Sequence, residues 1–215
     1  MVFAFVKATQ GTGFNDPTFK SNWNSLDATN VYRGAYHFLT SDTDPVEQAK
    51  FFVAAVKAAG GVRPADMPPS LDVEWDIHIS GGKVVLGPDG KPRDFWQDVE
   101  PDVIVAKMDA WLSYVEQQLG RTPMIYTSRA WWLGRIKNES AIKKFAKYKT
   151  WIADYSKSGL ATENPPDFKD HPKSLWQFSD GGKVTGIANG GGNLGVDVSI
   201  FKGTKNDLKK EFGIP

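Results

Sequence analysis

The sequence predicts an α/β fold, a parallel sheet curled into a barrel and followed by a strand-rich last third, on three observations. Short apolar strands alternate with amphipathic helices over the first two thirds of the chain, the pattern of βα units. The helical runs carry their own punctuation: Asp44-Pro45 before one, Gly60-Gly61 behind it, and Gly120 behind another. A length of 215 residues with 40% apolar and 24% charged content suits one soluble domain whose core needs no staples.

In order, the chain opens on a strand at 3–7, and GTGFNDP then turns. Asp16-Pro17 reads as an N-cap before a first-turn proline, opening a helix that runs to about Ala28. RGAYHF, 33–38, is a second short strand. Asp44, Pro45 and Glu47 stand in capping-box spacing, and their helix sets Phe51, Phe52, Ala55, Val56 and Ala59 on one stripe. PPSLDVEWD, 68–76, reads as a strand with Leu71, Val73 and Trp75 on one face and Asp72, Glu74 and Asp76 on the other. A polar, glycine-rich excursion over 77–101 follows, and its Pro-Asp-Gly marks a turn between two short hairpin strands. A long helix then carries Ile104, Met108, Trp111, Leu112, Val115 and Leu119. Beyond it come strands at 123–127, 150–154, 174–178 and 196–200, helical stretches near 138–148 and 205–212, and a glycine-crowded run at 181–195. There is no internal repeat and no linker, so 1–215 reads as one domain.

The 26 basic and 25 acidic residues nearly cancel, with no basic block to track phosphates, which argues against nucleic acid as a partner. No apolar run approaches the roughly 20 residues of a membrane span, so no membrane insertion is expected. The N-terminus lacks the basic start and small-residue cleavage site of a signal peptide. With no cysteine, disulfides and thiolate chemistry are excluded. His37, His78 and His171 are too dispersed for HExxH, there is no GxSxG or Walker sequence, and Gly11-Thr12-Gly13 lacks the rest of a dinucleotide fingerprint. No metal and no cofactor is expected.

Candidate chemistry centres on acids in strands, where Asp is disfavoured and like charges repel. Asp72 and Glu74 are two apart, so they share a face roughly 6.6 Å apart along the strand, near the end of a barrel strand where catalytic groups sit. Two carboxylates so close push their proton affinities apart, leaving one able to act as an acid near neutral pH. Glycosidic bond cleavage needs such a donor. A polar outer face or an ion pair is the competing reading, and for Asp76 it is the favoured one. Asp197, alone between valines in VDVSI, calls for a polar cavity or a turn partner. His37, after Tyr36 near a strand end, is by itself more often structural. Tyr126, Trp151, Asp154, Tyr155, Trp176 and Gln177 fall at or just past strand ends, a set that suits a sugar-binding rim.

FVKATQG, GAYHF, DPVEQAKFF, LDVE, MIYTS, WIADY, LWQFSDGG and GVDVSIFKG occur in that order, and the ordered set resembles glycoside hydrolase family 25, the lysozyme (muramidase) family. The resemblance implies a modified (β/α) barrel of about five βα units followed by further strands. It implies hydrolysis of the β-1,4 bond between N-acetylmuramic acid and N-acetylglucosamine in bacterial peptidoglycan. It makes Glu74 the general acid, Asp72 an orienting or stabilising carboxylate and Asp197 a cleft acid. It makes Tyr126, Trp151, Tyr155 and Trp176 aromatic groove positions, and with Tyr36, His37, Asp154 and Gln177 these are the substrate-binding candidates. A catalytically lapsed peptidoglycan-binding module and a chitinase-like glycosidase are the alternatives. The chain departs from the family in lacking the Gly-x-Asp-x-Ser strand expected before 3–7, which leaves one barrel strand and one acid unaccounted for, and in having Gln10 where the family has Glu. Delivery to the cell wall is expected by phage lysis, by a secretion apparatus or within a larger parent chain.

Overall fold

The computed structural model of the protein describes residues 1–155, 158, 160–168, 171–182 and 195–215; most of the glycine-crowded run lies outside them. The main sheet has eight strands: β1 (Phe3–Gln10), β2 (Phe14–Asn15), β3 (Tyr32–Phe38), β4 (Ser70–Val73), β7 (Met124–Ser128), β8 (Lys149–Ala153), β9 (Leu175–Gly182) and β10 (Val196–Ile200). Their spatial order is β10-β9-β8-β7-β4-β3-β1-β2. The six from β1 through β3, β4, β7 and β8 to β9 run parallel, while β10 returns antiparallel to β9 and β2 antiparallel to the end of β1. Helices α1 (Phe19–Asp27), α2 (Pro45–Ala58), α3 (Pro101–Leu119) and α4 (Arg129–Arg135) fill the crossovers, and α5 (Lys205–Glu211) closes the described chain.

Local chemistry accounts for most boundaries. The Asp44 carboxylate accepts hydrogen bonds from the Val46 and Glu47 amides, and Pro45 takes the first helical position of α2. Gly120 ends α3 in the left-handed region at φ 63°. The first helix begins two residues later than its sequence signal: Asp16 accepts from the Thr18 amide and hydroxyl, making a turn ahead of α1 rather than the cap itself. In the excursion, the paired strands β5 (Ile79–Ser80) and β6 (Lys83–Val84) flank Gly81-Gly82, both at positive φ. The Pro-Asp-Gly turn is bracketed only by a bridge between Leu86 and Pro92.

Two apolar bodies hold the sheet. On the helix side, Leu71, Val73, Ile125 and Ile152 join Phe52, Met108, Trp111 and Trp132 in the larger core. On the inner side, Phe3, Phe5, Met67, Met124, Trp151 and Leu175 pack with Leu208 and Phe212. The Phe5 ring meets Trp151 at 4.6 Å across the interior. Gly34, beside Phe5 in register, leaves room for that ring: a Cβ there would stand 2.3 Å from it.

The circle is not closed. Among the described residues no strand pairs with β10 on its far side, nor with the 3–7 stretch of β1. Those two edges line the same cavity.

Candidate active site

β4 runs through the middle of the sheet, and strand alternation sends Leu71 and Val73 to the helices and Asp72 to the interior. Glu74 follows directly after the strand's last residue. The apolar/acidic alternation read from PPSLDVEWD therefore holds to Glu74 and no further. Trp75, expected on the apolar face, is 41% exposed. The interior opens into a cavity of about 1150 Å³ that collects Asp72, Glu74 and Asp197 with Tyr36, Tyr126, Trp151 and Gln177.

These groups are wired together. The Tyr126 hydroxyl donates to Gln177 Oε1, Gln177 in turn bonds Asp197, and Tyr155, half exposed at the rim, bonds Tyr126. The Trp151 indole N–H donates to Ser199 Oγ at 3.0 Å, tying β10 to the interior. Asp72 is 6% exposed, and its Oδ1 is buried without a hydrogen-bond partner among the described residues. An unpaired buried carboxylate oxygen is costly, so this oxygen marks where the site departs from what stability favours.

Burial pushes Glu74 up to about 7, Asp197 adds repulsion, and Lys7 works the other way. Asp72 is held well above the usual carboxylate range by burial and by Glu74, again opposed by Lys7. Asp197 is raised by burial and by Asp180, and lowered by its bond from Gln177. A carboxyl that keeps its proton near neutrality, beside others sharing one charge field, is the arrangement that supplies a general acid.

Four expected groove residues lie elsewhere. His37 is fully buried: its Nδ1 meets Thr9 Oγ1 at 2.7 Å, its Nε2 meets Gln48 Oε1 at 3.1 Å, and its ring stacks on Trp111. Burial holds it down to about 3, so it is a neutral core residue that no substrate in the cavity touches. Trp176 is also buried, its indole N–H donating to the Asp154 carbonyl and its ring beneath Lys202. Asp154 is 9% exposed and does not line the cavity, and Tyr155 stands at the rim rather than in the lining, bonding Tyr126 and facing the Asp197 and Glu74 charges. The excursion supplies no cavity wall, since none of 77–101 lines it.

Asp76 anchors that excursion instead. Fully buried, it accepts from the Ser41 amide and hydroxyl, both at 2.8 Å, and bonds His78 Nε2 at 3.0 Å. Its own amide donates to Asp94, which also accepts from the Trp96 amide and from Arg135. A charged neighbour of the site that the sequence reading missed is Lys7, which acts on Asp72 and Glu74 without lining the cavity. Its signal was a lysine ending an otherwise apolar strand run, FAFVK.

A mostly parallel α/β sheet curled part of the way into a barrel gathers three carboxyls around one cavity, Asp72 buried, Glu74 half-buried and Asp197 exposed on β10, an arrangement of the kind that carbohydrate-cleaving hydrolases use. The sequence profile described as glycosyl hydrolases family 25 matches residues 1–187, and the chain belongs to that family. It is 32% identical over 133 residues to an N,O-diacetylmuramidase of Arthroderma benhamiae, covering 60% of this chain and 49% of the relative. It is 28% identical over 207 residues to the uncharacterized protein YegX of Escherichia coli K12, covering 96% of this chain and 61% of the relative. It thus spans about three fifths of the length of that curated relative. Among solved structures, a family GH25 lysozyme from Aspergillus fumigatus superposes with a TM-score of 0.70 at 27% identity, covering 98% of this chain and 87% of that one. The bacterial lysozyme from Streptomyces coelicolor reaches 0.74 at 23% identity, covering 99% and 87%, a likeness of fold.

Proposed function

We propose that the chain is a peptidoglycan-degrading lysozyme, acting at the bacterial cell wall on the β-1,4 bond between N-acetylmuramic acid and N-acetylglucosamine. In this reading Glu74 protonates the leaving glycosidic oxygen. Asp72 orients the reacting sugar or stabilises the positive charge that develops on it, and Asp197 shapes the cleft beside them. Tyr36, Tyr126 and Trp151 supply ring faces and hydroxyls for the sugars, with Gln177 and Tyr155 holding Tyr126 in place. The observation that carries the reading is Glu74, raised to about 7 in a cavity it shares with two further acids. Glu74→Gln keeps the shape and removes the proton donor. It is expected to retain the wild-type circular dichroism and to lose clearance of peptidoglycan suspensions; full activity in that variant would sink the assignment.

A second reading, a binding module whose catalysis has lapsed, draws on the open edges of β1 and β10. A sheet with unpaired edges on both sides of its cavity has room for one more strand, lying parallel to β1 and antiparallel to β10. Muropeptide binding by calorimetry with no release of reducing ends would favour this reading. Turnover by the 215-residue chain would remove it. Release of chitin fragments with none from peptidoglycan would point to the chitinase-like alternative.

A further inference from the structure

Lys7 sits half-buried on β1 on the side of the strand that carries Phe3 and Phe5, and the register by which it gets there is specific. The β1–β3 register slips between Lys7 and Thr9, so Ala8 is an extra residue in β1. Without that bulge, Lys7 would share a face with Thr9. With it, Thr9 turns outward to bond His37, while Lys7, beside Tyr36, and Gln10, beside Phe38, both face inward. The Lys7 ammonium donates to Gln10 Oε1 at 2.6 Å and lies 5.0 Å from the Phe38 ring centroid and 5.6 Å from that of Phe14. None of these contacts is a carboxylate. The amide and the rings hold the cation without cancelling it.

We propose that Lys7 is a positioning residue of this site, its charge serving the acid cluster because Gln10, the partner that holds it, is a neutral amide. The proposal rests on the reading of Glu74 as proton donor. Lys7 stands beside Tyr36, which lines the cavity, and over Phe38, the register partner of Asp72 on β4; from there the Lys7 charge acts on Asp72 and Glu74, with Asp16 beyond β2 also attracting it. Asp197 of β10 faces the same acids, with Asp180 of β9 behind it. Among the described residues, Tyr36 of β3, Tyr126 of β7 and Tyr155 after β8 are the further titratable groups around the cluster. His37, on the outer face of β3, feels Lys7 as well. Repulsion among three acids with no compensating charge favours their protonated forms. One nearby cation favours one ionised carboxylate beside one protonated carboxyl, which is the state that glycosidic cleavage uses.

Three variants of the full chain test this: Lys7→Met, Lys7→Arg and Gln10→Glu. Each is followed by carbon NMR titration of the Glu74 carboxyl and by the pH profile of peptidoglycan clearance. Lys7→Met removes the cation, so the Glu74 midpoint and both limbs of the profile move to higher pH, by about 0.5 or more. Gln10→Glu leaves the lysine but gives it a carboxylate of its own, and moves them the same way by less. Lys7→Arg keeps the charge and restores the wild-type midpoint. An unmoved midpoint in Lys7→Met, or one that Lys7→Arg displaces equally, overturns the proposal. Should Lys7→Met fail to fold, Gln10→Glu decides on the same criterion. Wild-type protein that titrates normally but clears no peptidoglycan would sink the lysozyme reading alone, since the NMR midpoints still judge Lys7.

Discussion

Glu74 and Asp76 stand two residues apart, both enclosed by protein, and the structure treats them in opposite ways. Asp76 has four hydrogen-bonding neighbours within reach: the Ser41 amide and hydroxyl and His78 on its carboxylate, and Asp94 on its own amide. Glu74 faces two other acids across a cavity, with Asp72 Oδ1 beside it unpartnered. Burial by itself therefore does not make a functional acid. What separates the two is whether donors are provided. A carboxylate given enough N–H and O–H groups is a structural fastener, and one denied them keeps its proton and becomes a reagent.

Substitutions at the two positions should separate cleanly. Glu74→Gln is expected to lower peptidoglycan turnover by roughly 10²–10⁴-fold with the fold intact, read by clearance rate against circular dichroism. Asp76→Ala leaves Ser41 and His78 without their acceptor and detaches the excursion. It is expected to cost roughly 3 kcal/mol of stability, measured by urea denaturation, while folded molecules keep their turnover. A large loss of turnover per folded molecule in Asp76→Ala would erase the contrast.

Glu74 also gives the molecule a pH dependence. The native chain holds a proton on Glu74 up to about 7, whereas the usual value is 4.5. As pH rises from about 4.5 to 7, the unfolded chain gives up that proton before the native one does. Stability contributed by the protonated group is present at the acid end of this window and is lost as pH climbs through it. Glu74→Gln removes that slope, so the variant should be more stable than wild type at pH 8 by about 1–3 kcal/mol, with little difference at pH 4, read from denaturation midpoints. Activity needs the protonated form, so wild-type turnover should fall above about pH 7. Smallest of all, Trp75→Ala, between the two acids but exposed, should change stability by less than about 0.5 kcal/mol.

Much of the fold was legible because it is written in local terms. Asp44-Pro45, Gly60-Gly61 and Gly120 mark helix ends where the structure has them. The Asp72–Glu74 pair was legible for a related reason: an acidic alternation inside an apolar strand has few explanations. Two of the misplaced groove residues share one physical origin, neighbours in a strand read as facing the same way. Tyr36 and His37 are adjacent, so only one can look inward; Trp176 and Gln177 are too, and in each pair the other turns away from the cavity. Helix α4 escaped notice because RAWWLGR carries no cap signal, and its two tryptophans belong to the core. Lys7 escaped because its inward partnership with Gln10 depends on a bulge, which alternation alone does not foretell.

The open seam between β1 and β10 also bears on how molecules meet one another. Each chain presents two rows of amides and carbonyls that no described strand engages, on opposite sides of one groove. Such rows are self-templating. Because the two edges differ, contact between copies would be head-to-tail and would extend rather than close. Protein concentration is thus a variable to control in every assay above, and light scattering along a dilution series tests whether molecules zip together through the gap in their own walls.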